Sequence, residues 1–138
     1  MSWSRRELCL WLPTLVALPA RAAEESGLPS KIYHFDDLPV RTVGNNRFRH
    51  ILEGTTSQGL RIEMHESDLA PGGMPHPAHR HAHDEVFMVR EGALEITIAG
   101  RSSRLGPGSV AFVASNEDHG VQNAGTTHVQ YFVLALGS

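Results

Sequence analysis

An all-β domain, an antiparallel sandwich or barrel, is the fold this sequence predicts, and three observations predict it. About eight to ten short apolar or alternating runs recur at roughly ten-residue spacing. Glycine and proline punctuate the gaps between them. Almost no stretch carries the 3.6-residue period of a helix. With 138 residues, 41% hydrophobic and 7% aromatic, the chain has the size and composition of one globular domain.

The first residues read differently from the rest. A basic start at Arg5 and Arg6 leads into an apolar run from Leu8 to Leu18, closed by Ala20-Arg21-Ala22. This is the pattern of a secretory signal peptide over 1–22, and the run is shorter than the ~20 residues a membrane span needs. Ser4-Arg5-Arg6 also resembles the twin-arginine export signal, with Leu8 where that pattern prefers Phe and Leu10 where it prefers Lys. The expected product is exported, periplasmic or secreted, with no membrane attachment after cleavage. Cleavage after Ala22 removes Trp3, Cys9 and Trp11 and leaves nine basic and fourteen acidic residues. A domain without cysteine must be held by packing rather than by disulfides. Nothing basic is clustered, so nucleic acid and anionic membrane surfaces are poor partners.

Residues 23–30 are polar, contain Gly27 and Pro29, and read as a linker; the barrel domain is expected over 31–138. Lys31–Phe35 reads as a first short strand and Asp36–Pro39 as a turn, since Pro39 cannot donate to a ladder. Arg47–Leu52 and Leu60–Met64 alternate, the second cleanly, as a strand with one buried face does. Ala70-Pro71-Gly72-Gly73 is a turn signal. Val86–Val89 is apolar on both faces and predicts a central strand. Leu94, Ile96 and Ile98 alternate with Glu95 and Thr97. Gly100 and Gly106-Pro107-Gly108 mark the next connections. Val110–Val113 reads as another buried run, and Asn123–Thr126 turns into the last long strand, Val129–Leu136.

The chemistry concentrates between Gly73 and Gly92. Four of the nine histidines fall between His76 and His83, and Glu85 follows. Neutral imidazole and carboxylate are the usual ligands of borderline divalent metals, so this stretch is expected to supply most of a metal site. His79 and His81 are two residues apart and project to one face of an extended strand. Glu85 can approach that face from the next strand. A further ligand should come from elsewhere, and His119, followed by Gly120 and Val121, is the candidate. A register of His81, His83 and Glu85 is the competing set.

These two segments resemble the cupin family of small jelly-roll barrels. The first family motif is matched at Gly73, His79, His81, Glu85 and Gly92. The second is matched at Gly108, His119 and Asn123, and departs at Ala114, where the family has Pro, and at Asn116, where it has Gly. About fifteen residues separate the two motifs, and the resemblance runs from about Leu60 to Leu136. It implies a double-stranded β-helix fold with metal ligands His79, His81, Glu85 and His119. It also implies a homodimer built by edge-strand pairing. The set admits Fe, Mn, Ni, Zn or Cu, and the absence of thiolate argues against a purely structural zinc. Twin-arginine export carries folded proteins, so metal could be loaded in the cytoplasm, which favours weakly held Fe or Mn.

The remaining candidates are weighed residue by residue. His83 is expected at the rim or as a donor that orients a ligand, and His76 as a solvated loop residue. His34, His50, His65 and His128 read as surface residues. Met64, Phe87 and Met88 read as core, and Asp84 and Glu91 as solvated. Gln130 or Tyr131 could line a pocket. The fold hosts many chemistries. The leading expectation is a metal-dependent dioxygenase-type oxidoreductase acting on a small organic molecule. The alternatives are a metal-dependent isomerase, epimerase or decarboxylase, and a non-catalytic module binding a small molecule or sugar. No general acid or base stands out from the motifs, which weakens the isomerase reading.

Overall fold

A computed structural model describes residues 27–137. The export signal expected over 1–22 and the first linker residues lie outside the described residues. Nine strands follow one 3-10 turn at Phe35–Asp37: β1 Val40–Val43, β2 Asn46–Thr55, β3 Arg61–Leu69, β4 Asp84–Glu91, β5 Leu94–Ile98, β6 Arg101–Leu105, β7 Val110–Val113, β8 His119–Asn123 and β9 Val129–Leu136. They form a six-stranded sheet in the order β1-β2-β3-β9-β4-β7 and a three-stranded sheet in the order β6-β5-β8, with every pair antiparallel. The all-β jelly-roll fold is as expected.

The core lies between the sheets. Leu69, Phe87, Val89, Tyr131 and Val133 of the large sheet meet Leu94, Ile96 and Val121 of the small one, all buried. Residues directly opposite across an antiparallel pair share a face. The pairing therefore defines two inward rows. Glu63, Ala135, Glu85 and Val113 form one; His65, Val133, Phe87 and Ala111 form the next. Of these, Glu63, His65, Glu85, Phe87 and Val133 line one wall of a cavity of about 690 Å³.

Strand β3 departs from expectation in an instructive way. Its alternation is real, but the apolar residues Ile62 and Met64 face outward and are only half-buried. They pair with Leu136 and Leu134 on the outer face. The polar residues Glu63, His65 and Ser67 line the cavity instead.

Lys31–Phe35 is not a strand. The backbone closes a 3-10 turn, with Asp37 N–H donating to His34 and Leu38 N–H to Phe35. The Phe35 ring crosses the outer face of the large sheet rather than pairing along its edge. It lies edge-on to Phe132, with the guanidiniums of Arg49 and Arg90 at 4.4 and 4.1 Å from its centroid.

On that outer face sit two fully buried carboxylates. Glu66 is paired to Arg49 at 2.8 Å; burial pushes its carboxyl up and Arg49 opposes the shift. Asp68 accepts from His128 at 2.6 Å, Arg47 at 2.5 Å and Gln130 at 3.3 Å. Burial pushes the Asp68 carboxyl up, but these three hydrogen bonds outweigh it and leave it below the ordinary aspartate range. His128 is thus a partner of Asp68, not an unpaired surface residue. A depressed acid contributes its stability above its unfolded value and loses it as pH falls through the native one. Asp68→Asn is expected to destabilise by about 2 kcal/mol at neutral pH. The gap to wild type should narrow below pH ~4. Denaturant titrations of both proteins across pH check this, and a gap unchanged at pH 3 would contradict it.

Candidate metal centre

The backbone first brings the two motif segments together. His79 N–H donates to the His119 carbonyl at 2.9 Å, and His119 N–H returns a bond to His79 at 3.0 Å. This reciprocal pair sets the two rings 4.7 Å apart. His81 lies two residues on, with its ring 5.1 Å from His79 and 4.8 Å from His119. Glu85 enters from β4 on the inward row, with only 9% of its surface exposed. All four residues named from the sequence are brought to one place.

The loop before His119 is the part the motif left in question. Asn116 takes a positive φ of 63°, a conformation for which asparagine is one of the better non-glycine residues. Its N–H donates to the His81 carbonyl at 2.7 Å. Ser115 N–H donates to Asp84 Oδ1 and its hydroxyl to the Ala82 carbonyl, both at 2.7 Å. Asp84 is therefore a structural acceptor tying the two ligand-bearing loops, rather than a solvated residue. The departure from glycine at 116 is accommodated by backbone geometry. Asn116→Gly is expected to change stability by less than about 1 kcal/mol, and Asn116→Val to cost more, because a β-branched residue strains at positive φ. Thermal unfolding of both variants checks this; equal losses would contradict it. Asn123 closes the motif from inside: its buried amide donates to Leu69 and Thr127 carbonyls, both at 2.8 Å, and its oxygen accepts from Gly125 N–H.

The imidazole tautomers follow from their neighbours. A carbonyl only accepts, so His81 donates through Nδ1 to the His83 carbonyl, and His119 through Nδ1 to that of Glu117, each at 3.0 Å. In the neutral rings each Nε2 then carries a lone pair. These two nitrogens lie 3.2 and 3.1 Å from the same oxygen, Glu85 Oε2. Lone pairs facing a carboxylate repel unless a proton or a cation lies between them. His81 Nε2 is close to Glu85 but makes no hydrogen bond, and His79 Nδ1 is likewise buried without a partner. Burial, reinforced by the nearby His76, His119 and His81 rings, holds the His79 imidazole below the ordinary histidine range. Buried ring nitrogens converging on a carboxylate fit a divalent cation, and backbone carbonyls orienting the rings are the usual support for such ligands.

His79, His81 and His119 each offer a nitrogen within 4.8 Å of the others, and so do His81, His83 and Glu85 as an overlapping set. His83 stacks flat on His81, with centroids 3.7 Å apart, and its Nε2 is 3.4 Å from Glu85 Oε1. It thus flanks the three-histidine group while belonging to the overlapping set. His76 is exposed and packs edge-on against His79 at 4.2 Å.

Glu85 and His119 face the cavity directly, together with Phe87, Tyr131 and Val133. Phe87 is therefore both core and cavity wall. Burial pushes the Tyr131 phenol up, with Ser67 opposing, so it stays neutral. Gln130 points the other way, to Asp68. The sequence reading missed His50, Glu63 and His65, which also line the cavity. The available signal was parity: Glu63 and His65 are two apart on one strand, as His79 and His81 are.

Comparison with known proteins agrees with this architecture. Solved structures share the fold at low sequence identity. An RmlC-like cupin from Shewanella frigidimarina is 17% identical, with a TM-score of 0.66 over 80% of this chain and 93% of that one. A predicted oxalate decarboxylase from Thermotoga maritima is 18% identical, with a TM-score of 0.66 over 78% and 100%. The polyketide cyclase RemF from Streptomyces resistomycificus is 22% identical, with a TM-score of 0.63 over 80% and 81%. No curated protein matches the chain in sequence. The cupin domain model matches residues 65–135, more than half of the chain and including every residue of the centre just described, and the chain belongs to the cupin family.

Proposed function

We propose that this protein is a metal-dependent enzyme acting on a small organic molecule, with His79, His81, Glu85 and His119 as the metal ligands. The observation that carries the reading is the convergence of the His81 and His119 lone pairs on one Glu85 oxygen at the floor of a cavity. A cavity of about 690 Å³ is of the size that holds a small ligand. A divalent cation there would supply Lewis-acid or redox chemistry at positions open to the cavity. The protein's own part is to orient the rings and to wall the substrate with Phe87, Val133 and the neutral Tyr131.

Two reaction classes suit that ligand set. Oxygen insertion of the dioxygenase kind rests on the histidine–carboxylate set alone. Oxygen uptake with phenols and flavonoids, metal-loaded against chelated, tests it; uptake that is the same after chelation counts against it. Isomerase or decarboxylase chemistry gains a specific support absent from the motifs, since a Glu63–His65 pair faces the same cavity. The structural relatives include a predicted decarboxylase and a cyclase, which is consistent with either class. A binding module without catalysis would show thermal stabilisation by sugars or organic acids and no turnover of either kind.

Export through the signal at 1–22 belongs to this proposal, and N-terminal sequencing of secreted or periplasmic protein tests it; a start at Met1 would refute cleavage. So does the homodimer. Val110 and Phe112 on edge strand β7 are more than half exposed, which supports pairing at that edge. A monomer in sedimentation at micromolar concentration would contradict it.

A further inference from the structure

The cavity has a second cluster of titratable side chains, on the wall away from the metal centre. His65 Nδ1 lies 3.0 Å from both oxygens of Glu63, and His50 Nδ1 lies 3.7 Å from Glu63 Oε1. An ionised carboxylate only accepts, so His65 donates to it through Nδ1 and keeps Nε2 as the accepting nitrogen. The pair is not an outer-surface ion pair: both residues line the same cavity as Glu85 and His119, and their side chains are 33% and 25% exposed.

Strand register fixes how this pair stands relative to the centre. Glu63 and Glu85 flank Ala135 in one inward row, and His65 and Phe87 flank Val133 in the next. Two strand spacings therefore separate them, about 10 Å along the wall. Val133, between His65 and Phe87, lines the same cavity. Near the mouth, Arg41 lies over the Phe48 ring and has no carboxylate within ion-pair range among the described residues.

We propose that His65, oriented by Glu63, is a proton-transfer residue facing the metal centre across the cavity, and that the substrate is a small carbonyl compound bearing a carboxylate. Its carbonyl end faces the centre and its carboxylate faces Arg41. In the transfer, the C–H bond next to the carbonyl breaks and its electron pair stays on the substrate, delocalised toward the carbonyl oxygen. The proton forms an N–H bond at Nε2 of His65, and Glu63 stabilises the resulting imidazolium. Return of the proton to the same or another carbon regenerates the neutral ring, with no oxidant or reductant required. A carboxylate behind an imidazole that faces a reacting centre is the arrangement general base catalysis uses.

This inference rests on the proposed metal-dependent reading, and its test separates the two. The full chain, loaded with Mn(II) and with metal content measured, is incubated in D₂O with pyruvate, oxaloacetate and 2-oxoglutarate, and loss of the C–H signals is followed by proton NMR. Exchange above the buffer rate is expected for at least one acid. His65→Gln should lower it at least tenfold with bound metal unchanged, and Glu63→Gln should lower it less and alter its pH profile. Wild-type exchange in His65→Gln would overturn the assignment, as would no exchange of any of the three acids by metal-loaded wild type. Failure to bind metal would instead overturn the reading beneath it.

Discussion

Replacing His119 with alanine is expected to strip the protein of bound metal, and His81→Ala should do the same. Each change removes one of the two lone pairs that converge on Glu85 Oε2. It also leaves a buried carboxylate without its cation, so affinity should fall by more than ~100-fold, beyond the 10–100-fold typical of supporting residues. His83→Ala is the discriminating control. Its ring stacks on His81 and touches the other Glu85 oxygen, yet its own backbone carbonyl, which orients His81, survives the substitution. His83→Ala should therefore remain stoichiometrically loaded at saturating metal. Elemental analysis of the three variants with circular dichroism to confirm folding is the measurement. Loss from His81→Ala and His83→Ala with metal retained by His119→Ala would favour the overlapping set of His81, His83 and Glu85, and equal loss from all three would overturn the ligand assignment.

Gly92→Ala should destabilise the barrel by about 2 kcal/mol or more. Gly92 sits between β4 and β5 at φ 78°, in the left-handed region that costs an L-residue energy. A Cβ there would also lie 2.4 Å from the His128 carbonyl oxygen and 2.8 Å from Val129 Cα. Both contacts are backbone, at the start of β9, so no side chain can swing away. β9 pairs with both β3 and β4, so displacing its start disturbs the wall that carries Glu85. Denaturant unfolding reads the loss, and a midpoint within error of wild type would show that the corner can relax.

What the sequence made legible follows a physical line. Strands with one buried face announce themselves by alternation, and β4, between β9 and β7, by apolar residues on both faces. Strand β1, Val40–Val43, is exposed at every position, and in β6 only Leu105 of Arg101–Leu105 is even half-buried. Edge strands of this kind carry no burial period, so both were missed. Lys31–Phe35 reads as a short strand, but the Phe35 ring packs against Phe132, Arg49 and Arg90 and the backbone turns instead of pairing. The ligand candidates were legible because they lie at fixed spacings around required glycines. Glu63 and His65 were not, because β3 reverses the usual rule. Ile62 and Met64 face out, and Glu63 and His65 face a cavity, which no hydrophobic pattern distinguishes from solvent. Buried Asp68 and Glu66 were hidden for a similar reason: their partners Arg47, Arg49 and His128 come from 17 to 60 residues away in sequence.

The central claim is that His79, His81, Glu85 and His119 hold one metal ion. Anomalous diffraction from crystals of the metal-loaded protein, with elemental analysis of the same sample, tests it most directly. The account predicts a single strong peak at ligand distance, about 2.0–2.2 Å, from the His81 and His119 Nε2 atoms, a His79 nitrogen and a Glu85 oxygen. A peak bound by His83 in place of His79 and His119, or stoichiometric metal with no peak at this cluster, would contradict it.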